Sequence, residues 1–321
     1  MMPLEQSEKM KNNQTNKLYD LIDPANTQDA HDEIKYIISL VTDDYDDETF
    51  DIVLNDTVRL FGGEYPGYQP SKTKYHDLEH TNSVVLATAR LMHGCFLEGE
   101  TLKPRSIFLL LVAALFHDIG LIQTANDKEG TGAKHTVGHE DRSIEFMTDY
   151  LLSKGFSTQD TEDCSHLIRC TILSLSVRDV PFRSREIEIL GKILGTSDLL
   201  AQMADRNYLE KLLLLFKEFE EAGIPTFDSE MDLLQKTEDF YKFVAQKRMS
   251  EEFEDISTNM LSHFKSRWNI QEDLYAASIS KNIEYLKGVV AGCQDSFECY
   301  LDNLRRLGIS KQFRKQPTHS S

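Results

Sequence analysis

Ile107-Phe108-Leu109-Leu110-Leu111-Val112-Ala113-Ala114-Leu115-Phe116 is an almost unbroken apolar run, and it ends on His117-Asp118-Ile119-Gly120. A run of this kind predicts a helix buried on most sides, because a surface helix would show a polar face at the 3.6-residue period. It delivers an ionisable doublet into apolar surroundings. An ionised carboxylate without a partner is costly there, so Asp118 is expected to pair with a cation, bind a metal or stay protonated. Gly120 is expected to let the backbone leave the helix. Taken alone, the doublet is explained equally well by a local cap or salt bridge and a satisfied core histidine.

Two further oddities narrow the choice. Tyr75-His76-Asp77-Leu78-Glu79-His80 places two histidines four residues apart, a spacing that puts both imidazoles on one helix face, with Glu79 turned elsewhere. Gly195-Thr196-Ser197-Asp198-Leu199-Leu200 again sets one acid among apolar residues. Asp198 reads either as a ligand or as an N-cap for the helix carrying Leu199 and Leu200. Together the three islands offer imidazoles and carboxylates, a ligand set suited to a divalent cation that activates water.

At these residues the sequence resembles the HD-domain superfamily of metal-dependent phosphohydrolases, which includes the cyclic nucleotide phosphodiesterases. The order His80, His117-Asp118, Asp198 is similar to that superfamily's metal series, and Tyr75-His76-Asp77-x-x-His80 is similar to the phosphodiesterase Tyr-His-Asn-x-x-His element. The resemblance covers roughly residues 50 to 220. It implies that His80, His117, Asp118 and Asp198 hold the metal and that His76 protonates the leaving oxygen, with Asp118 and His76 as the catalytic pair. It further implies one or two divalent ions (Mn, Fe, Mg, Zn or similar) and attack by metal-activated hydroxide. Asp77 stands where the cyclic nucleotide enzymes carry Asn, the doublet continues Ile-Gly-Leu instead of Ile-Gly-Lys, and no purine-holding glutamine has a clear counterpart. The reaction type is therefore better specified than the substrate, which is a nucleotide, a cyclic nucleotide or another small phosphoester.

His135, His139 and His166 lie between Asp118 and Asp198, the interval where binuclear members of the superfamily place extra histidines. His139 and His166 are the candidates for a second ion. Gly138-His139-Glu140-Asp141-Arg142-Ser143 opens an amphipathic helix, and helix starts favour anions, so Arg142 is a candidate phosphate contact. The loop Thr124 to Lys134 is a candidate lid.

The chain has 321 residues, is 40% hydrophobic and carries a formal charge of -18. It is long enough to bury a sizeable core. The charge argues against binding nucleic-acid polymers or anionic membranes, and it repels a phosphoester unless a metal and local Arg or Lys reverse the potential. No apolar run reaching about eighteen residues and no apolar leader at Met1-Met2-Pro3-Leu4 are apparent, so neither a span nor secretion is expected. Five cysteines without a Cys-x-x-Cys spacing read as reduced thiols of a cytoplasmic protein.

Helical periodicity recurs at Phe50 to Phe61, Val84 to Phe96, Leu209 to Phe219, Met231 to Val244 and Leu274 to Leu307, and strand-like alternation is scarce. The expected architecture is an all-α HD-type helical bundle over residues 31–225, preceded by a loose arm over 1–30. A helical C-terminal extension over 226–315 packs on it or forms a homodimer, and a disordered tail covers 316–321. The rival to a phosphodiesterase or phosphatase is a non-catalytic HD-fold protein that binds a nucleotide or regulates a partner.

Overall fold

The computed structural model describes residues 17–314, whose regular structure is helical with no strand, only an isolated bridge between Tyr68 and Thr124. In chain order the helices are α1 (Leu18–Leu21), α2 (Thr27–Ser39), α3 (Asp47–Gly62), α4 (Leu78–Leu97), α5 (Pro104–Phe116), α6 (His139–Ser153) and α7 (Thr158–Arg169). They continue as α8 (Arg185–Ala204), α9 (Tyr208–Glu221), α10 (Glu230–Phe240), α11 (Met260–Trp268), α12 (Leu274–Cys293), α13 (Phe297–Asn303) and α14 (Ser310–Arg314). The all-α expectation holds.

Two helices form the axis of the core. Every residue of α5 from Ser106 to Phe116 is buried, as the apolar run requires. On α4, His80 through Cys95 are all buried, although this helix is less apolar in sequence. It tolerates that burial because its polar side chains turn back on the chain: Thr88 donates to Val84 O at 2.8 Å and Ser83 to Glu79 O at 2.9 Å. The helix α4 packs against α2, α5, α8 and α11, and α8 packs against α4, α7 and α12, so α4 and α8 together present their inner faces to the site. The stretch Pro104–Leu121 is long and apolar enough to cross a membrane by composition, contrary to the sequence reading, yet 89% of it is buried inside this protein. It is the core helix with its terminal turn.

Several boundaries differ from expectation. Residues 17–30 are not a loose arm: Leu18 and Ala30 are buried, and the Asn82 amide of α4 donates to Pro24 O and Thr27 Oγ1, each at 3.1 Å. Residues 1–16 and 315–321, which include the rest of that arm and the tail, lie outside the described residues. The periodic segments read from the sequence leave out α7 and α8, although α7 is amphipathic and buries Thr161, Cys164, Leu167 and Ile168 on one face. The extension breaks between α12 and α13, where Cys293 and Cys299 form a disulfide. That bond corrects the expectation of five reduced thiols; Cys95, Cys164 and Cys170 are free and buried.

The extension packs directly on the axis. A Cβ at Gly195 of α8 would sit 2.5 Å from Phe253 Cζ and 2.6 Å from Cys170 O, so only glycine permits this approach. Nearby, the buried Arg248 guanidinium donates to the carbonyls of Cys170, Ile172, Leu173 and Leu175 at 3.0 to 3.2 Å. These carbonyls belong to the C-cap of α7 and the turn that follows it, so Arg248 ties that turn to the extension.

Candidate metal centre

His117 closes α5, and its ring is oriented by the helix itself. Nδ1 lies 2.8 Å from Ala114 O, an oxygen that can only accept, so Nδ1 carries the proton and Nε2 presents a lone pair. That Nε2 faces Asp118 Oδ2 at 3.2 Å and Asp198 Oδ1 at 3.9 Å. His80, in the first turn of α4, directs Nε2 to the same two oxygens at 3.4 and 3.7 Å. Donor atoms of His80, His117 and Asp118 all lie within 4.8 Å of one another. Asp198 joins them from the middle of α8, so it is not the N-cap of a new helix; that cap is Ser184, which accepts from Ile187 N.

Gly120 serves a different purpose from the one its sequence position suggests. It sits in a short 3-10 turn, Ile119–Leu121, where a Cβ would lie 2.0 Å from His139 O. The turn is stitched to α6 by Gly120 N to Ser143 Oγ at 2.9 Å and by Arg142 Nε to Gly120 O at 2.7 Å. This close approach brings His139 to the cluster. Its Nδ1 donates to Thr136 O at 2.7 Å, which leaves Nε2 facing the second Asp118 oxygen at 3.1 Å.

The arrangement is electrostatically incomplete by itself. His117 Nε2 and Asp118 Oδ2 are sealed from solvent and neither has a hydrogen-bond partner. Lone pairs of neutral imidazoles and a carboxylate repel at such distances unless positive charge stands between them. The electrostatics of the site carry the same demand: burial alone would lower the His117 pKa, but the Asp118 carboxylate and then Asp198 outweigh it and raise it to about 9. Burial likewise opposes ionisation of Asp118, yet His117, His139 and His80 hold its carboxyl well below the usual range. A divalent cation satisfies all these atoms at once, so the residues fit a metal; two imidazoles and a carboxylate converging on one point are the donor set such ions prefer.

His76 arrives by another route than the one read from its spacing. It precedes α4, because Asp77 is the N-cap and accepts from His80 N at 2.9 Å. Its ring nevertheless stands against His80 and His139, with centroids 5.6 and 6.2 Å away. Glu218 of α9 holds it there, with Oε2 2.6 Å from His76 Nδ1 and Oε1 accepting from Lys74 N and Tyr75 N at 2.8 Å each. Burial disfavours the imidazolium, but the Glu218 charge and hydrogen bond prevail and raise the His76 pKa to about 9. Sequence reasoning misses Glu218; its one signal is position, three residues after Leu215 on the buried stripe of an amphipathic helix.

The other candidates stand apart. His166 packs on Phe182, with ring centroids 6.1 Å apart, and no hydrogen bond or ion pair joins it to Asp118 or Asp198; its place in α7 turns it to the core. Arg142 spends Nε on Gly120 O and lines a cavity of about 370 Å³ with Tyr65, Tyr68 and Phe146, without an ion pair to the cluster. His135 pairs with Asp127 at 2.9 Å. The loop expected as a lid is pinned, since Gln69 Nε2 donates to Thr124 O at 2.8 Å and Thr131 N and Oγ1 donate to Glu221 at 2.6 and 2.7 Å.

Among known proteins, the family model HD-CE matches residues 43–213, more than half of the chain and the whole of the segment carrying these ligands. No curated protein and no solved structure matches.

Proposed function

This chain belongs to the HD-CE family, and from that premise and its unpaired, mutually facing imidazole and carboxylate atoms we propose that it is a metal-dependent phosphohydrolase, a phosphodiesterase or phosphatase acting on a nucleotide or similar small phosphoester. The observation that carries the reading is the buried convergence of His80, His117 and Asp118, whose facing donor atoms a divalent cation would satisfy together. Asp198 completes the set for one ion, and the outer Asp118 oxygen with His139 provides the start of a second site. A divalent ion held by these residues would lower the pKa of water toward neutrality and would neutralise charge growing on phosphoryl oxygens.

The chain's own groups supply the rest. Glu218 fixes the His76 tautomer: Nδ1–H is donated to the carboxylate, and Nε2 is the atom that can carry a second proton to a departing alcohol. Because Glu218 also grips the backbone of Lys74 and Tyr75, the segment that carries the imidazole cannot move away without breaking three hydrogen bonds. Helix α4 contributes His80 and its first turn, α5 His117, α6 His139 and α8 Asp198, so the ligands are held on rigid elements rather than on loops.

Elemental analysis of protein purified without chelator, together with a panel of phosphodiesters and phosphomonoesters, tests this reading. Bound transition metal and turnover of at least one phosphoester, both lost in His117→Ala, are expected. Stoichiometric metal without turnover of any ester would instead favour a binding protein.

A further inference from the structure

The Cys293–Cys299 disulfide lies along an open surface groove of about 560 Å³, remote in sequence from the candidate metal ligands. Lys281 and Glu284 contribute one charge of each sign, and Gly288 and Gly292, four apart on α12, leave their backbone bare, with nothing within 4 Å of where a Cβ would stand. Such a groove matches a small zwitterion: a carboxylate for Lys281, an ammonium for Glu284, and an extended backbone along the glycines. The two sulfurs are not equivalent. Cys293 is buried, whereas Cys299 is half-buried and is the one an entering group reaches.

Two features favour opening of this bond. Asn303 Nδ2 lies 3.5 Å from Cys293 Sγ and 3.8 Å from Cys299 Sγ, so an amide N–H is available to charge that develops on the departing Cys293 sulfur. The bond also closes a loop in which Gln294 takes φ 48°, a left-handed backbone unfavourable for a residue with a side chain. The other three cysteines offer no such chemistry: they are buried, and burial pushes the thiols of Cys95 and Cys170 up to about 12.

We propose that Cys293–Cys299 is a thiol-exchange site, in which a low-molecular-weight zwitterionic thiol enters the groove and forms a mixed disulfide with Cys299. The thiolate sulfur bonds to Cys299 Sγ, the Cys293–Cys299 bond breaks, and the electron pair leaves on Cys293 Sγ, which takes up a proton in place of the one the thiol released. No net oxidation occurs. The consequence falls on the segment beyond α13, whose Leu307 and Ile309 N–H groups donate to Glu210 of α9 at 2.6 and 2.8 Å.

Reduced glutathione is the probe, added to the full oxidised chain, followed by acid quench, alkylation and peptide mass mapping. The expected result is glutathione on Cys299, an alkylatable thiol at Cys293, and no adduct on Cys95, Cys164 or Cys170. Asn303→Leu should slow the exchange about fivefold, the worth of one hydrogen bond. Lys281→Ala should raise the glutathione concentration needed for half-maximal rate and leave exchange with uncharged mercaptoethanol unchanged. An intact pair after excess glutathione, an adduct on Cys293, five free thiols in the isolated protein, or equal effects of Lys281→Ala on both thiols would each overturn the proposal.

Discussion

At the scale of single residues, the decisive fact is a tautomer. Ala114 O and Thr136 O take the Nδ1 protons of His117 and His139, so both Nε2 lone pairs are committed to the side of Asp118. His117→Ala and Asp118→Ala are each expected to abolish metal binding and turnover, as read by elemental analysis and initial rates. In the parent protein, added metal should raise the folded-to-unfolded ratio about a hundredfold at a hundred times its Kd, and these variants should show no such shift in Tm. His76→Ala is expected to keep the metal and lose about 10² to 10⁴ in rate on an ester with a poor leaving group, and much less on a nitrophenyl ester, whose departure needs little protonation. Loss of metal in His76→Ala would make that residue a ligand instead. The pH profile tests its partner. As an acid His76 works while protonated, and Glu218 raises its pKa, so activity is lost as pH rises through the alkaline limb. Glu218→Gln removes the anion that supports the imidazolium, and the limb should move to lower pH; an unmoved limb would detach Glu218 from the chemistry.

Among the elements, α8 carries the clearest test. An exposed helical glycine changed to alanine usually gains up to about 1 kcal/mol. At Gly195 the new methyl would meet Phe253 and the Cys170 carbonyl far inside van der Waals contact, so Gly195→Ala should instead cost about 1 to 3 kcal/mol in urea denaturation. Asp198 lies one turn further along the same helix, and a displaced α8 should also weaken metal affinity in a titration. A variant as stable as the parent would show that the C-terminal extension does not rest on α8 in solution. Arg248 belongs to the same contact, since it gathers carbonyls at the end of α7 while Phe253 fills the space over Gly195.

For the molecule as a whole, stability should fall on the acid side through a pair far from the metal. His93 Nδ1 and His263 Nδ1 lie 3.0 Å apart, both buried, with the Arg90 and Arg267 guanidiniums as their charged neighbours. Burial first, then Arg267, lowers the His93 pKa to about 4, and burial and Arg90 hold His263 well below its ordinary value. Above the unfolded pKa neither state is protonated. Between that value and about 4 the unfolded chain binds the extra proton, so stability drops as pH falls, by on the order of 3 kcal/mol for His93 alone. Denaturation midpoints at pH 7 and pH 5 read the slope, and an imidazole NMR signal of His93 titrating near its ordinary value of about 6.5 would refute the assignment.

Ile107–Phe116 declared its burial in the sequence, and with it the all-helical class, because an unbroken apolar helix has no stable place except a core. The ligand types were legible for a related reason: ionisable His117 and Asp118 at the end of that run need a partner wherever the chain folds. What spacing could not supply was direction. His76 and His80 share a cavity although only His80 is on the helix, because Glu218, distant in sequence, holds the preceding loop. His166 was a weaker candidate beside His139, and the fold separates them: His139 starts the helix pressed on Gly120 whereas His166 faces Phe182. Which imidazoles converge, which carboxylate buttresses them, and which two of five cysteines are joined depend on contacts between distant segments, and those are settled only by the packing of the folded chain.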